Sequence, residues 1–242
     1  MENIITITDL YKSFEENEVL KGISLQVSKG ENLVIIGKSG EGKSVTIQCL
    51  VGMIPFNSGS CQVFGKEVST LDEQSLKEMR KKIGFLFQQS ALYDSMTVRE
   101  NLAFPLRRVL NIQDADEIEH LSAEALEAVG LSDAIDKMPS DLSGGQRKRM
   151  GLARTLIVPP EIILYDEPTT GLDTITSKEI SLLMLDIRKK YKASSVIITH
   201  DMACARITSD RVMIMRDGKN LAEGSYETLE QSSDPFISSF FK

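Results

Sequence analysis

Short apolar runs alternate with helix-period stretches through most of the chain. Residues 33–36 are continuously apolar and end at Gly37, which is typical of a strand buried on both faces. Three further short apolar runs, at residues 83–87, 162–165 and 196–199, have the same character, and helix-like stretches separate them. Buried strands that alternate with helices predict a parallel sheet in an α/β fold.

Other segments alternate apolar and polar positions and predict strands with one solvated face. Residues 4–10 and 23–27 have this pattern, so we expect an antiparallel β subdomain beside the parallel sheet. Near the end of the chain, residues 211–216 and 220–223 flank an Asp-Gly pair, which is a favourable hairpin turn.

A long middle stretch, from Thr97 to about Ile157, has helical periodicity and no convincing strand. Residues 117–129 place their apolar side chains on one helix face. The last predicted helix of the stretch runs from Gln146 to about Val158. The sequence therefore predicts a helical lobe inserted in the α/β core.

Length and composition fit a single domain. The chain has 242 residues, of which 41% are hydrophobic, so a substantial core can form without disulfides or metals. We predict one domain over 1–242, with the α/β core and β subdomain at about 1–90 and 158–242. The helical lobe is expected at about 91–157.

Charge and targeting features narrow the class of protein. The formal net charge is -7, which disfavours nucleic acid as a partner because phosphate-backbone affinity needs clustered Lys and Arg. No apolar run approaches the roughly 18 residues that span a bilayer, and the first residues lack the plan of a secretory signal. We expect a soluble protein that reaches a membrane only through a partner.

The three cysteines, Cys49, Cys61 and Cys204, are odd in number and widely spaced, and none has metal-ligand spacing. This pattern favours reduced, buried thiols in a cytosolic protein.

A glycine-rich loop after the first buried strand carries the first candidate chemistry. Its sequence, GKSGEGKS, fits the nucleotide-binding pattern G-x-x-x-x-G-K-[ST], and a helix is predicted after it from Ser44 to Met53. The backbone N–H groups of such a loop turn toward the β- and γ-phosphates, Lys43 adds a charge between them, and Ser44 offers its hydroxyl to Mg²⁺. The predicted nucleotide contacts are Gly37, Lys38, Ser39, Gly40, Glu41, Gly42, Lys43, Ser44 and Val45.

Three polar residues follow two other buried strands. Asp166 ends an apolar strand, where a carboxylate needs a partner such as the Mg²⁺ of a bound nucleotide. Glu167 is expected on the other side of that strand, facing an attacking water as general base. His200 follows the strand at 196–199. The carboxyl ends of parallel strands share one crevice, so His200 is expected to reach the same γ-phosphate as Lys43.

A second glycine turn, LSGGQ at residues 142–146, opens a predicted helix shortly before the strand that ends at Asp166. The segment 168–173, PTTGLD, follows that strand. With these motifs, from about Ile4 to its last residues, the chain resembles the ATP-binding subunits of ABC transporters. The resemblance implies ATP and Mg²⁺ as ligands, ATP hydrolysis coupled to transport, and a P-loop, RecA-like core.

The resemblance also assigns roles to single residues. Gln88 would touch Mg²⁺ or the attacking water, although Gln89 is adjacent and shares the pattern. Phe14 would stack on the adenine, and Tyr11 competes for that role. His200 would be the switch histidine of the family.

A head-to-tail dimer is the arrangement that the family implies. Ser143 and Gly145 of one copy would cover the γ-phosphate that Lys43 of the other copy holds, with Asp173 at the dimer seam. The chain would pair with itself or with a homologue. The residues assigned to this part of the nucleotide site are Ser143, Gly144, Gly145, Gln146 and Asp173.

Several strings look like the ATPase of Mla/Mce-type phospholipid transport systems. They are FPLR at residues 104–107, RKRMGLAR at 147–154, and DPF at 234–236. Gln146 and Thr174 depart from some members of that group. The alternatives are another cargo, such as an amino acid or other small solute, a soluble ABC ATPase of iron–sulfur cluster assembly, and a non-hydrolysing regulatory subunit.

Partners follow from the resemblance. They are membrane permease subunits, further lipid-binding subunits and small cytoplasmic subunits, which would hold the protein peripherally on the inner face of the cytoplasmic membrane. Ala91, Leu92, Tyr93 and Met96 either line a groove for a permease helix or pack inside the lobe. The aromatic tail at residues 236–241 docks on the core or on a partner, and the sequence leaves both open.

Overall fold

The computed structural model describes residues 2–241, so Met1 and Lys242, the two ends of the predicted domain, lie outside the described part. The strands within it are β1 (Asn3–Phe14), β2 (Asn17–Ser28), β3 (Asn32–Ile36), β4 (Ser58–Val63), β5 (Lys66–Glu67), β6 (Ile83–Leu86), β7 (Ile162–Asp166), β8 (Ser194–Ile198), β9 (Arg211–Arg216) and β10 (Lys219–Gly224). The α-helices are α1 (Lys43–Leu50), α2 (Glu73–Lys81), α3 (Val98–Val109), α4 (Ala115–Ala128), α5 (Gly144–Leu156), α6 (Thr174–Tyr191), α7 (Met202–Thr208), α8 (Tyr226–Glu230) and α9 (Pro235–Ser238).

The central sheet has six strands in the order β10-β9-β3-β8-β7-β6. The pairs from β9 to β6 are parallel, and β10 joins the edge as the antiparallel half of the predicted hairpin. The predicted α/β fold with a parallel core is therefore confirmed. The carboxyl ends of β3, β6, β7 and β8 meet along one edge of this sheet.

The central strands are buried on both faces, as their apolar runs predict. Along β3, Val34 and Ile36 pack into the core shared with the helices of the middle stretch. Leu33 and Ile35 point the other way and pack into a second core beneath the smaller sheet. Successive side chains of a strand point to opposite faces, so one apolar run contributes to both cores.

The smaller sheet is antiparallel, in the order β2-β1-β4-β5. Its first two strands are much longer than predicted, because register shifts and the left-handed backbone of Asp9 (φ 45°) break the alternation that the sequence displays. β4 and β5 are not predicted at all. β4 reads Ser-Gly-Ser-Cys-Gln-Val, and only Cys61 and Val63 of it are buried.

Smaller differences concern helix ends. α1 ends at Leu50 rather than at the predicted Met53, because the chain turns through Gly52 at a φ of 65°. α5 begins at Gly144, two residues before the predicted start, because Ser143 caps it.

Three helices, α3, α4 and α5, occupy the stretch between β6 and β7. Thr97 begins α3 with a capping box, in which Thr97 and Glu100 satisfy each other's backbone N–H groups. The buried faces of the helices share one apolar core. We retain about 91–157 as the proposed limits of a helical lobe. In the described part of the chain, no helix combines the length and apolarity needed to cross a membrane.

The aromatic tail folds back on its own chain. Ile237 of α9 is buried, and Phe236, Phe240 and Phe241 pack against the core. The rings of Phe236 and Phe240 meet edge to face at 5.3 Å, and Phe241 meets Tyr226 in the same way. The structure thus favours docking on the core, one of the two places that the sequence leaves open.

Candidate nucleotide-binding site

A cavity of about 790 Å³ opens at the carboxyl edge of the central sheet. Its volume is in the range of small-molecule sites. It brings together residues that are up to 221 positions apart in sequence, from Val19 to Phe240. The lining consists of Val19, Gly37, Lys38, Ser39, Gly40, Gly42, Lys43, Ser44, Val45, Gln88, Asp166, Glu167, His200 and Phe240.

The loop between β3 and α1 requires its glycines. Gly40 and Gly42 have left-handed backbones with φ of 86° and 96°. A Cβ at Gly37 would lie 2.7 Å from the carbonyl oxygen of Met215, and one at Gly42 would lie 2.7 Å from a methyl of Leu20. These positions therefore exclude side chains and leave backbone N–H groups to face the cavity.

Lys43 is 8% exposed and folds back over this loop. Its Nζ donates hydrogen bonds to the carbonyl oxygens of Gly37 (2.7 Å) and Lys38 (2.8 Å). Burial lowers the pKa of Lys43, against the opposing effect of Glu167, Asp166 and Glu41. The loop thus presents one ammonium among backbone donors, a set that fits a polyphosphate.

Glu41 is the one predicted loop residue that does not line the cavity. Its carboxylate accepts the backbone N–H of Asp217, in the turn between β9 and β10. Glu41 therefore anchors the loop to the neighbouring hairpin.

Asp166 and Ser44 meet at the cavity from two different elements. The Ser44 hydroxyl, on the first turn of α1, donates to Oδ1 of Asp166 at 3.2 Å. Burial raises the pKa of Asp166, and the Ser44 hydrogen bond works against that rise. A hydroxyl and a partly buried carboxylate are oxygen donors of the kind that Mg²⁺ takes beside phosphate. The residues present therefore fit a magnesium–nucleotide complex.

Glu167 follows β7 with a left-handed backbone at a φ of 51°. Its Oε2 lies 2.7 Å from Nδ1 of His200 and accepts the Thr170 hydroxyl at 3.0 Å. The Glu167 side chain is 14% exposed, whereas that of His200 is 66% exposed. The two residues form a carboxylate–imidazole pair at the mouth of the cavity.

The structure distinguishes the two neighbouring glutamines. Gln88 lies in the cavity lining. Gln89 lines a different depression, beside residues 139–148. The geometry therefore favours Gln88 as the residue that faces the nucleotide.

The second glycine turn is built as a helix start. Ser143 Oγ accepts the backbone N–H of Gln146 at 3.3 Å, and the Gln146 side chain accepts that of Ser143 at 2.9 Å. A Cβ at Gly145 would lie 2.6 Å from a methyl of Thr176, so glycine is required there. Residues 143–146 are absent from the lining of the cavity that Lys43 faces, among the residues described. Ser143 and Gly144 are exposed on another part of the same chain.

Asp173 has a structural task in the single chain. Its carboxylate caps α6 by accepting the backbone N–H groups of Ile175 and Thr176 and the Thr176 hydroxyl. The Thr176 hydroxyl bond and the backbone bonds lower the pKa of Asp173. Its predicted place at a dimer seam stays a prediction.

The expected adenine platform lies outside the cavity. Phe14 ends β1 and is 45% exposed, with Lys12 Nζ 4.6 Å from its ring centre, and neither it nor Tyr11 lines the cavity. The apolar side chains of the lining are instead those of Val19, Val45 and Phe240. The sequence gives no signal for Val19. The sequence shows that the tail is aromatic but does not indicate that Phe240 lines the cavity.

The residues proposed to contact a permease divide between the two alternatives. Ala91 lines a second cavity of about 220 Å³, between β6 and the helices α3 and α5. Leu92 packs on the core. Tyr93 is 39% exposed and packs against Phe104 and Arg154. Met96 is half-buried beside the start of α3.

Comparisons with known proteins agree with this geometry. The family model described as ABC transporter matches residues 20–170. The methionine import ATP-binding protein MetN of Brucella abortus (strain 2308) is 39% identical over 221 residues, which make up 91% of this chain and 59% of that protein. This chain thus spans less than two thirds of that relative. The protein of the same name in Clostridioides difficile (strain 630) is 37% identical, with 93% of this chain and 70% of that protein covered.

Two solved structures have the same fold. The ATP-binding cassette MJ0796, as a dimer in a post-hydrolysis state bound to ADP and Pi, matches with a TM-score of 0.83 at 29% identity, covering 92% of this chain and 98% of that one. CbiO1 from Clostridium perfringens, part of the ABC transporter complex cbiONQ, matches with a TM-score of 0.86 at 28% identity, covering 94% and 90%. The family model covers more than half of the chain and includes the loop of Lys43, the second glycine turn and Asp166: this chain belongs to the ABC transporter family.

Proposed function

We propose that this protein binds and hydrolyses ATP and thereby drives an ABC transporter. The observation that carries the proposal is the convergence of Lys43, Asp166, Glu167 and His200 on one cavity, from α1 and the ends of two strands, β7 and β8. Two carboxylates and a buried ammonium at one sheet edge are costly to desolvate, so packing alone does not explain their presence there.

The loop holds the triphosphate. Backbone N–H groups of the loop and the positive end of α1 face the β- and γ-phosphates, and Lys43 exchanges its carbonyl partners for phosphate oxygens. Ser44 and Asp166 would hold Mg²⁺, with Gln88 beside them. When bound, the ion neutralises charge on the phosphate oxygens and favours attack at the γ-phosphorus.

Glu167 accepts the proton of the attacking water. Asp166 accepts the Ser44 hydroxyl, whereas the Glu167 carboxylate contacts His200, so the first residue would serve the ion and the second the water. His200 fixes the orientation of that carboxylate through the 2.7 Å contact. Its ring is exposed and would contact the γ-phosphate of a nucleotide bound in the cavity.

A second copy would complete the site. The Ser143 turn offers helix N-terminal donors but lies outside the cavity of its own chain in the described residues. The head-to-tail pairing predicted from the sequence would bring this turn to the phosphate of the partner copy. The dimeric form of MJ0796, bound to ADP and Pi, supports the pairing of two copies.

Permease subunits would dock beside the lobe. The cavity between β6, α3 and α5 has an apolar floor that includes Phe85 and Pro105, and Arg80, Lys81 and Arg154 line its rim. A helix that carries acidic and apolar residues would fit it. Docking there would hold the protein on the inner face of the cytoplasmic membrane.

The cargo that the relatives support best is a small solute such as an amino acid. Two relatives with 39% and 37% identity are named methionine import proteins. Phospholipid is the second candidate. It rests on the strings FPLR at 104–107 and DPF at 234–236, and no relative reported above is named for lipid transport.

Phosphate release from Mg-ATP tests the catalytic part of the proposal. We expect hydrolysis by the wild-type protein, alone or with its permease, that disappears in Glu167→Gln. The absence of such Glu167-dependent hydrolysis under both conditions would overturn it.

A pull-down from detergent-solubilised membranes tests the partner and the cargo. A permease with bound methionine or another amino acid supports the first candidate, and a permease with bound phospholipid supports the second. Recovery of soluble iron–sulfur assembly proteins in place of a permease would overturn the transporter role.

A further inference from the structure

Lys148 is a buried cation that has no role in the reaction proposed above. It lies in the second turn of α5 and is 5% exposed. It pairs with no carboxylate among residues 2–241. A buried ammonium is costly unless hydrogen bonds replace its water, and an apolar side chain of equal length would avoid that cost.

The partners of Lys148 are two main-chain carbonyls. Its Nζ donates to the carbonyl oxygen of Gln88 at 2.5 Å and to that of Glu167 at 3.2 Å. Gln88 lies two residues after the end of β6, and Glu167 directly follows β7. One side chain therefore bridges the backbone of Glu167, proposed to face the attacking water, and that of Gln88, proposed to touch Mg²⁺ or that water.

Both bridged segments have an unusual backbone. Glu167 has a φ of 51°, and Ser90 and Ala91, just after Gln88, have φ of 61° and 45°. Left-handed conformations are disfavoured for residues other than glycine, so surrounding contacts must hold them. Lys148 supplies such a contact at both places.

The helix that carries Lys148 is fixed to the Gln88 segment at further points. Arg154 donates to the carbonyl oxygen of Ala91. Gly151 packs so tightly that a Cβ there would lie 2.8 Å from a methyl of Leu86 and 2.9 Å from Cβ of Ser90. Lys148 is the residue of α5 that extends this contact to Glu167.

The same helix begins at the second glycine turn. Lys148 lies five positions after Ser143, or roughly 7.5 Å along a rigid α-helix. A shift of α5 that brings Ser143 to a phosphate on the partner copy would therefore move Lys148 relative to the Glu167 carbonyl that it contacts. The position of the lobe and the geometry of the general base are coupled through this one side chain.

We propose that Lys148 is a positioning residue for hydrolysis, which holds the backbones of Gln88 and Glu167 in register with α5. The inference rests on the proposed ATPase function. It assigns to Lys148 an effect on turnover, not on nucleotide affinity, because Lys148 does not line the nucleotide cavity.

Steady-state hydrolysis of Mg-ATP by full-length Lys148→Met tests the inference. We expect kcat to fall by about 10- to 100-fold, as a displaced catalytic group would cause. KM should stay within about threefold of the wild-type value, since ground-state binding is intact. Lys148→Arg, which keeps the donors, should retain more activity than Lys148→Met. The matched control is Lys189→Met on α6, where the lysine side chain is 77% exposed.

An unchanged kcat in Lys148→Met overturns the inference. A fall in activity that equals the fall in the fraction of folded protein also overturns it. If the wild-type protein itself has no Glu167-dependent hydrolysis, the proposed function fails, and a second measurement still decides the role of Lys148.

That measurement is amide hydrogen exchange without nucleotide. The N–H of Ser90 donates to Phe87 and that of Thr170 donates to Glu167. We expect Lys148→Met to raise exchange in the peptides that contain these two amides, and Lys189→Met to leave them unchanged. Unchanged exchange in Lys148→Met overturns the inference whatever the activity.

Discussion

Oε2 of Glu167 lies 2.7 Å from Nδ1 of His200, although 33 positions separate the two residues in sequence. The contact forms because β7 and β8 are parallel neighbours, so the residues that follow them emerge at the same edge of the sheet. The carboxylate is mostly enclosed, and the imidazole is mostly exposed. In the proposed reaction this asymmetry suits two tasks, since an enclosed carboxylate can hold a water while an exposed ring can contact the γ-phosphate.

Glu167→Gln should abolish turnover and leave nucleotide binding intact. The amide keeps the shape of the side chain but cannot accept a proton, so we expect kcat to fall by about 10²- to 10⁴-fold. Phosphate release measures the loss, and equilibrium binding of ATP measures what remains. Glu161→Gln is the matched control, because Glu161 lies just before the other end of β7 in a surface ion pair with Lys82. If Glu167→Gln and Glu161→Gln hydrolyse ATP at equal rates, Glu167 is not the general base.

His200→Ala should lower kcat without lowering stability. The ring is exposed, so its loss should change the free energy of unfolding by no more than about 0.5 kcal/mol. Without the imidazole the Glu167 carboxylate loses its orienting contact, and we expect kcat to fall about tenfold or more. His120→Ala is the control, since that histidine is 72% exposed on α4 and pairs with Glu124. A kcat that falls equally in both variants contradicts the assignment.

The two glycines of the second turn should respond differently to alanine when stability is measured without nucleotide. A Cβ at Gly145 would lie 2.6 Å from a methyl of Thr176, so Gly145→Ala should cost about 1–3 kcal/mol of unfolding free energy. At Gly144 the Cβ would meet Leu172 at an ordinary 3.5 Å, so Gly144→Ala should gain about 0.5–1 kcal/mol from helix propensity. Denaturant unfolding of both variants measures the difference. The reverse order would mean that α5 does not pack on α6 as described.

The three thiols should resist alkylation in the folded protein. Burial raises the pKa of Cys49 and of Cys204 to about 11 and that of Cys61 to about 12. At pH 8 each group is therefore protonated as well as enclosed, and the reactive thiolate is scarce. We expect no incorporation of iodoacetamide into folded protein and three equivalents after unfolding in denaturant. Rapid labelling of the folded form would contradict the burial of these residues.

The sequence predicts the part of the site that local patterns determine. The loop from Gly37 to Ser44 follows its own spacing, and Asp166, Glu167 and His200 follow from the rule that parallel strands end together. The fold class follows from the same apolar runs. These features depend on neighbours in sequence or on one topological rule.

Features that depend on distant packing are not predicted. β4 has few apolar positions, and its partner β1 lies 47 to 58 positions earlier in the chain. Phe240 lines the cavity because α9 packs beside the loop, where Phe236 lies under Lys38 and Arg216. Lys148 meets Gln88 across 60 positions and Glu167 across 19. Nothing in the local pattern of an amphipathic helix distinguishes such a lysine from a solvated one.

The docked tail affects how the protein should be handled at the bench. Phe240 forms part of the wall of the cavity that Lys43 faces, so a fluorophore attached close to Phe240 would lie beside that cavity. Asn3, at the start of β1, takes no part in that wall. A fluorophore close to Asn3 should therefore leave the cavity open, whereas the same fluorophore close to Phe240 should respond to what occupies it.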